Sequence, residues 1–334
     1  MKTLVTAIFV DEFLEKLKDK VEVIYEPWFD AEGKLHILQG DDLVNYLNDN
    51  NIEIFICEPE VLRKDVLEKL TTLKLLVCAK GTEFFIDTDV ATQQNIIVAY
   101  TPGRNANSVA EYTIGLILCI TRDIANNHNL VSQGKWPILS AFADRGIELN
   151  QKTVGIIGLG AIGFRIGTIL KTFGMKILVY DPYVKEERLE ALEAKQVDLD
   201  TLMQESDIVT VHALLTEETT GLISREKLEL MKPSAYFINT SRGKIVDEDA
   251  LADILEQKKI RGAALDVYIR EPIKRKSKLL ELPNLLHTSH IGGSSADVPF
   301  YSSKMAYEEV LRYLDGSPPS NCLNPEVLKK ISKE

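Results

Sequence analysis

Apolar and polar positions alternate in blocks along the first hundred residues. Leu4 to Val10, Val21 to Tyr25, Ile52 to Cys57, Leu75 to Val77 and Ile96 to Ala99 are short apolar runs that predict strands. Amphipathic stretches such as Asp41 to Leu47 and Leu62 to Leu70 lie between them and predict helices. This is the pattern of a parallel α/β sheet, and Thr101-Pro102-Gly103 punctuates its end as a hinge. The middle of the chain repeats the pattern. Thr153 to Ile157, Lys176 to Tyr180, Ile208 to Val211, Ala235 to Asn239, Gly262 to Val267 and Leu285 to His287 predict six strands joined by right-handed crossovers. Helices are expected over Ile162 to Phe173, Arg225 to Met231 and Ala250 to Gln257. Val298 to Leu314 reads as one long helix after the flexible Gly292-Gly293-Ser294-Ser295, and is expected to cross back to the first domain. The expected architecture is α/β with two doubly wound domains. Residues 1–101 with 297–334 form a smaller, flavodoxin-like, discontinuous one, and residues 102–296 form a Rossmann domain.

Asn107 to Arg122 has a different pattern. From Thr113 to Ile120 only the threonine is polar, so no solvent face is available. A helix apolar all round is buried on every side. Two readings stay open, a core helix or a helix trapped between two subunits.

Composition narrows the class. The 334 residues suffice for two domains of ordinary size. Lys and Arg total 39 against 50 Asp and Glu, a net charge of −11, which argues against nucleic-acid binding because that needs a positive field. Cys57, Cys78, Cys119 and Cys322 lack C-x-x-C spacing and read as reduced thiols of a cytoplasmic protein, with no disulfide framework and no metal site. Met1 to Val10 is too short for a signal sequence, and no stretch approaches a membrane span.

The chemistry is densest at Gly158-Leu159-Gly160-Ala161-Ile162-Gly163, a G-x-G-x-x-G between a predicted strand and a predicted helix. Gly158 permits the tight turn, Gly160 lets the backbone approach a pyrophosphate, and Gly163 lets helix and strand pack closely. The helix N-terminus offers unpaired N–H groups to the phosphates. Asp181, at the end of the next strand, can accept both ribose hydroxyls and would repel a 2′-phosphate, so the site favours NAD over NADP.

Ligands of open α/β sheets bind outside the carboxyl ends of the strands. Thr240-Ser241-Arg242-Gly243, Glu271-Pro272 and Ser289-His290 follow three successive strand ends, so Arg242, Glu271 and His290 are expected on one rim. Singly they could be a turn arginine, a surface acid and a capped loop histidine. Together they are what hydride transfer to a keto acid requires. An arginine fork holds the substrate carboxylate or carbonyl oxygen, and a histidine gives or takes the hydroxyl proton. A carboxylate beside the histidine fixes its tautomer and stabilises the protonated ring.

From about Leu75 to Asp315, and less distinctly over the first strands, the chain resembles the D-isomer-specific 2-hydroxyacid dehydrogenase family, which includes phosphoglycerate dehydrogenase. Asn239-Thr240-Ser241-Arg242-Gly243 is similar to the family's N-T-x-R-G, whose arginine is catalytic. Leu265-Asp266-Val267-Tyr268 leading to Glu271-Pro272 is similar to L-D-V-[FY]…E-P, whose glutamate pairs with the catalytic histidine. Ser289-His290-Ile291-Gly292-Gly293 is similar to P-H-I-[AG]-G, which supplies that histidine. Pro102-Gly103 with Ser108-Val109-Ala110-Glu111 is similar to P-G-x-N-x-x-S-V-A-E. The resemblance implies NAD as cofactor, a small 2-hydroxy or 2-keto acid as substrate, and a homodimer through the helix following Asn107. It adds Ala161, Ile162, Thr240, Asp266 and Gly293 to Gly158, Gly160, Gly163 and Asp181 as cofactor contacts. It also implies that the backbone at Gly81 and Thr82 holds the substrate carboxylate. Lys80 adds a cation beside them, which reads equally as a solvated side chain or an anion-binding one.

Leu214 and Glu217 replace two prolines beside the adenine, Ser289 replaces a proline, and Lys244 replaces a glycine. Formate dehydrogenases pair the histidine with glutamine, so Glu271 argues against them. Two alternatives remain. One is D-3-phosphoglycerate dehydrogenase, favoured slightly by Lys80 and disfavoured by the departure of its Lys80-Gly81-Thr82 loop from the family's G-x-G. The other is a non-catalytic NAD(H)-sensing corepressor-like protein, disfavoured by the retention of all three rim residues.

Overall fold

The computed structural model describes residues 1–30, 32–81, 85–136 and 146–331. The chain divides into two compact units, Met1–Asn105 with Ala296–Glu334, and Ala106–Ser295.

The first unit begins with β1 (Lys2–Val5), α1 (Asp11–Lys18), β2 (Glu22–Tyr25), α2 (Gly40–Asp49), β3 (Ile54–Cys57), α3 (Lys64–Leu67), β4 (Leu75–Cys78), α4 (Thr88–Gln93) and β5 (Ile97–Tyr100). The strands form one parallel sheet in the order β2-β1-β3-β4-β5, the expected flavodoxin-like arrangement. Successive strand residues face opposite sides, so each strand feeds two cores. Phe55 and Leu76 pack with Leu43, Leu47 and Leu67 on one face. Ile54, Ile56, Leu75 and Val77 pack with Leu14 and Leu17 on the other.

The second unit opens with α5 (Ala106–Thr121) and α6 (Ile124–Ser132), which are separated by Asp123 in the left-handed region at φ 55°. There follow β6 (Thr153–Ile157), α7 (Ala161–Thr172), β7 (Lys176–Tyr180), α8 (Glu186–Leu192), β8 (Lys195–Gln196), α9 (Leu199–Glu205) and β9 (Ile208–Val211). The unit closes with α10 (Arg225–Glu229), β10 (Tyr236–Asn239), α11 (Glu248–Glu256), β11 (Gly262–Leu265) and β12 (Leu285–His287). Its parallel sheet has seven strands in the order β12-β11-β10-β9-β6-β7-β8, where six were expected. The addition is β8, a two-residue exposed edge strand on β7 that is too short and too polar to show a period.

One further helix was not expected, and both readings of α5 stay open. α6 buries none of its residues, so it carries no apolar stripe to be read. α5 is not enclosed on all sides. Ile114, Leu116 and Ile117 are buried, whereas Gly115 is exposed and Leu118, Cys119 and Ile120 are half-buried.

The chain then returns to the first unit. α12 (Val298–Leu314) packs on α1 and β4 and buries Ala306 and Val310 there, and α13 (Glu326–Ile331) follows. The fully buried Asn324 sews this return segment to β5. Its Oδ1 accepts the Val98 N–H at 2.9 Å, and its Nδ2 donates to the Ile96 carbonyl at 2.9 Å.

Candidate active site

The strand register of the second unit aligns the site. Tyr180, Ile157, Val211, Asn239, Leu265 and His287 are Cα partners in one row across six strands. The next residue of each chain is therefore at the carboxyl edge of the sheet. In the same order these are Asp181, Gly158, His212, Thr240, Asp266 and Thr288.

Sterics dictate the glycines of the turn after β6. Gly158 sits at φ +90°, and a Cβ there would come within 2.7 Å of the Ala213 nitrogen. A Cβ at Gly163 would strike the Gly158 carbonyl oxygen, so α7 can lie this close only with glycine. At Gly160 a Cβ would meet nothing within 4 Å, which leaves open space at the N-terminus of α7, where Ala161 and Ile162 begin the first turn. The first N–H groups of a helix have no intrahelical partner.

Asp181 stands one residue beyond β7. Its Oδ2 accepts the Leu159 N–H at 2.8 Å, and its Oδ1 accepts the Tyr183 N–H at 2.9 Å. Each carboxylate oxygen can accept again, so both stay competent toward a vicinal diol. Open space at a helix N-terminus, faced by an oriented carboxylate, fits a dinucleotide.

Three loops carry the rim. After β10, the Asn239 side chain ties the turn, donating to the Arg242 carbonyl at 3.1 Å and accepting the Ser241 N–H at 3.0 Å. The Arg242 Nη1 donates to the Ser241 carbonyl at 2.7 Å. Thr240 is buried, its hydroxyl 2.9 Å from that of Thr113 on α5. A Cβ at Gly243 would collide with the Tyr268–Ile269 peptide, so the arginine turn lies directly against the segment leading to Glu271.

Glu271 Oε1 accepts the Tyr268 N–H at 3.0 Å, and Oε2 lies 2.6 Å from His290 Nδ1. The carboxylate is thereby aimed by the backbone and engages the histidine with its other oxygen. Nε2 is the ring nitrogen left for proton exchange, and the imidazole is 42% exposed. His290 itself holds a left-handed backbone at φ 58°. Asp266, one residue beyond β11 rather than within it, turns both oxygens to the histidine loop. Oδ1 accepts the Thr288 hydroxyl at 2.6 Å and the Ile291 N–H at 3.1 Å, and Oδ2 accepts the Gly292 N–H at 2.9 Å. Gly293 continues the same loop, whose Gly292 carbonyl accepts the Ser108 hydroxyl at 2.8 Å.

In the first unit, Lys80 and Gly81 follow β4. The Lys80 carbonyl accepts the Thr101 N–H at 3.1 Å, and its ammonium lies 5.0 Å from the centre of the Phe85 ring. A Cβ at Gly81 would be 3.5 Å from the Gly103 nitrogen and the Thr101 carbonyl. Thr82 lies outside the described residues.

Sequence reasoning passed over several groups. Glu58, after β3, pairs with Arg104 at 2.8 Å and accepts the Trp28 indole N–H at 3.0 Å. Burial raises the pKa of the neighbouring Glu60, whose Oε1 is buried without a partner among the described residues. His212 lies at the sheet edge beneath the glycine turn, and burial pushes its pKa down to about 3. No motif marks these residues, because each depends on what lies across the sheet.

Residues 114–292 match the family described as D-isomer specific 2-hydroxyacid dehydrogenase, NAD binding domain. The chain is 38% identical over 260 residues to a D-3-phosphoglycerate dehydrogenase of Archaeoglobus fulgidus, a match that covers 78% of this chain and 49% of that one. It thus spans about half the length of that relative. A glyoxylate reductase of Thermofilum pendens is 33% identical, over 98% of this chain and 96% of its own. Among solved structures, the apo D-lactate dehydrogenase of Escherichia coli superposes with a TM-score of 0.77 at 27% identity, covering 97% of this chain and 100% of that one.

Proposed function

The chain belongs to the D-isomer specific 2-hydroxyacid dehydrogenase family, and from that premise we propose that it interconverts a D-2-hydroxyacid and its 2-keto acid with NAD. The observation that carries this reading is the 2.6 Å contact between His290 Nδ1 and Glu271, placed on the same sheet edge as the glycine turn. Gly158, Gly160, Ala161, Ile162 and Gly163 receive the pyrophosphate, and Asp181 receives the adenosine ribose. Thr240, Asp266 and Gly293 border the nicotinamide end. When bound, the nicotinamide supplies or takes the hydride.

This chain's residues handle the proton and the charge. His290 Nε2 gives a proton to the carbonyl oxygen during reduction and takes it back during oxidation. Glu271 holds Nδ1, so the ring presents Nε2 in both directions. Arg242 binds the substrate as a planar fork and polarises its carbonyl. The backbone at Gly81 takes the substrate carboxylate, with Lys80 as an added cation. A phosphorylated substrate rests on Lys80 alone and is the second reading.

The active form is a homodimer through α5. The half-buried flank Leu118 to Ile120 supports this, as do Ile124, Val131 and Trp136, which are 52%, 49% and 80% exposed. None of the described helices is long and apolar enough to cross a membrane, and all four cysteines are free, which accords with a cytoplasmic protein. Steady-state oxidation of NADH across a panel of 2-keto acids, phosphorylated members included, tests the activity. Turnover of at least one member is expected. NADH binding with no turnover of any would leave a sensing protein instead.

A further inference from the structure

Leu159, between the first two glycines of the turn, is gripped at both ends of its backbone. Its N–H donates to Asp181 Oδ2 at 2.8 Å, and its carbonyl accepts Arg188 Nη1 at 2.5 Å. Its side chain is 1% exposed, so the residue cannot swing to seek other partners. Arg188 comes from α8 and is half-buried. Its guanidinium lies 5.6 Å from the centre of the Phe164 ring on α7. No carboxylate among the described residues forms an ion pair with it. An arginine and an aspartate thus address the two ends of one residue, and the arginine's charge meets the Phe164 ring but no carboxylate among the described residues.

We propose that Arg188 positions the cofactor and sets its specificity, as the cation that opposes Asp181 in the choice between NADH and NADPH. This rests on reading the Gly158–Gly163 turn as a dinucleotide site. The contact acts in two ways. By fixing the Leu159 carbonyl, Arg188 fixes the N–H that aims the Asp181 carboxylate at the ribose. By bringing that guanidinium to the same turn, it attracts the 2′-phosphate that Asp181 repels. Guanidinium is well suited to a phosphate, with five N–H donors, of which Leu159 engages one. Preference for NADH is therefore a difference between two opposed charges, and removing the acid alone exposes the cation.

The test is a double-mutant cycle read as dissociation constants, with no substrate present. NADH and NADPH are titrated by fluorescence into wild type, D181N, R188M and D181N/R188M. Asparagine keeps an acceptor for the Leu159 N–H while removing the charge. D181N is expected to bind NADPH about tenfold more tightly than wild type, and D181N/R188M is expected to lose that gain. R188M alone should weaken NADH binding about tenfold, and R188K, which keeps the charge, should preserve the NADPH gain in the D181N background. Equal NADPH affinity in D181N and D181N/R188M overturns the proposal. Circular dichroism checks folding, and R188Q replaces R188M if the methionine variant does not fold. Wild type that binds neither nucleotide would overturn the dinucleotide reading and this inference together. NADH binding that ignores Arg188 would overturn this inference alone.

Discussion

The buried carboxylate of Asp266 accepts the backbone N–H of Gly292 at 2.9 Å, across the loop that presents His290. With Thr288 and Ile291 on its other oxygen, one side chain holds both flanks of the histidine. An asparagine can accept on one side only and would turn an amide N–H toward a backbone N–H or the hydroxyl. Leaving such a buried donor unmatched costs about 1–3 kcal/mol. D266N is therefore expected to lower kcat by about 10- to 100-fold and to lower Tm as well. Turnover within twofold of wild type would show that the loop holds the histidine unaided.

His290→Ala removes the proposed proton donor and leaves the nucleotide turn intact. Turnover should fall about 10²–10⁴-fold while NADH still binds in a fluorescence titration. Glu271→Gln should be milder, about tenfold in kcat, because the amide can still meet Nδ1 but no longer carries charge. Equal losses in the two variants would instead make the carboxylate a reacting group.

Lys80 presents its ammonium over the Phe85 ring, with no carboxylate paired to it among the described residues. If that charge meets the substrate, Lys80→Ala raises KM for 2-keto acids, most for doubly anionic ones, and the effect shrinks as salt is added. We expect a several-fold rise at low ionic strength, on the scale of one partly exposed ion pair. KM values that move together for mono- and dianionic substrates remove the case for a phosphorylated one.

His212 makes the nucleotide-binding unit acid-sensitive. Burial pushes its pKa down to about 3; among the described residues Nδ1 has no partner, and Nε2 meets the Thr210 hydroxyl at 2.7 Å. A histidine whose folded pKa is depressed favours the neutral ring. Its contribution is complete above the unfolded value of about 6.5 and is lost as pH falls from there toward 3. The slope it adds is up to about 1.4 kcal/mol per pH unit within that window. Melting curves of wild type and H212Q from pH 7.5 to 4.5 check this, with a shallower fall expected in the variant.

The glycine turn was legible in the sequence because its requirement is largely local. A Cβ at Gly163 would strike the Gly158 carbonyl oxygen five residues earlier and Gly158 holds φ +90°, whereas the Ala213 backbone that also crowds Gly158 comes from far along the chain. The placement of Arg242, Glu271 and His290 was legible for a related reason. Parallel strands in register end together, so the loops that leave them share an edge. What stayed hidden depends on partners far away in the chain. The engagement of Asp266 by Gly292, the reach of Arg188 to Leu159 and the burial of His212 are set by packing, which no spacing records. β8 and α6 escaped for another reason. Neither buries enough apolar surface to impose a period on its residues.

The sewing of Asn324 to β5 also bears on synthesis. The ribosome delivers residues 1–105 first, yet the helix that buries Ala306 and Val310 against β4 emerges only after Ala106–Ser295 has been made. At about 5–20 residues per second, the first sheet waits roughly 10–40 s with the part of one apolar face beside α1 uncovered, while the second unit has all of its own chain. The part translated second is thus finished first, and the nascent amino-terminal sheet is where a holding chaperone would act.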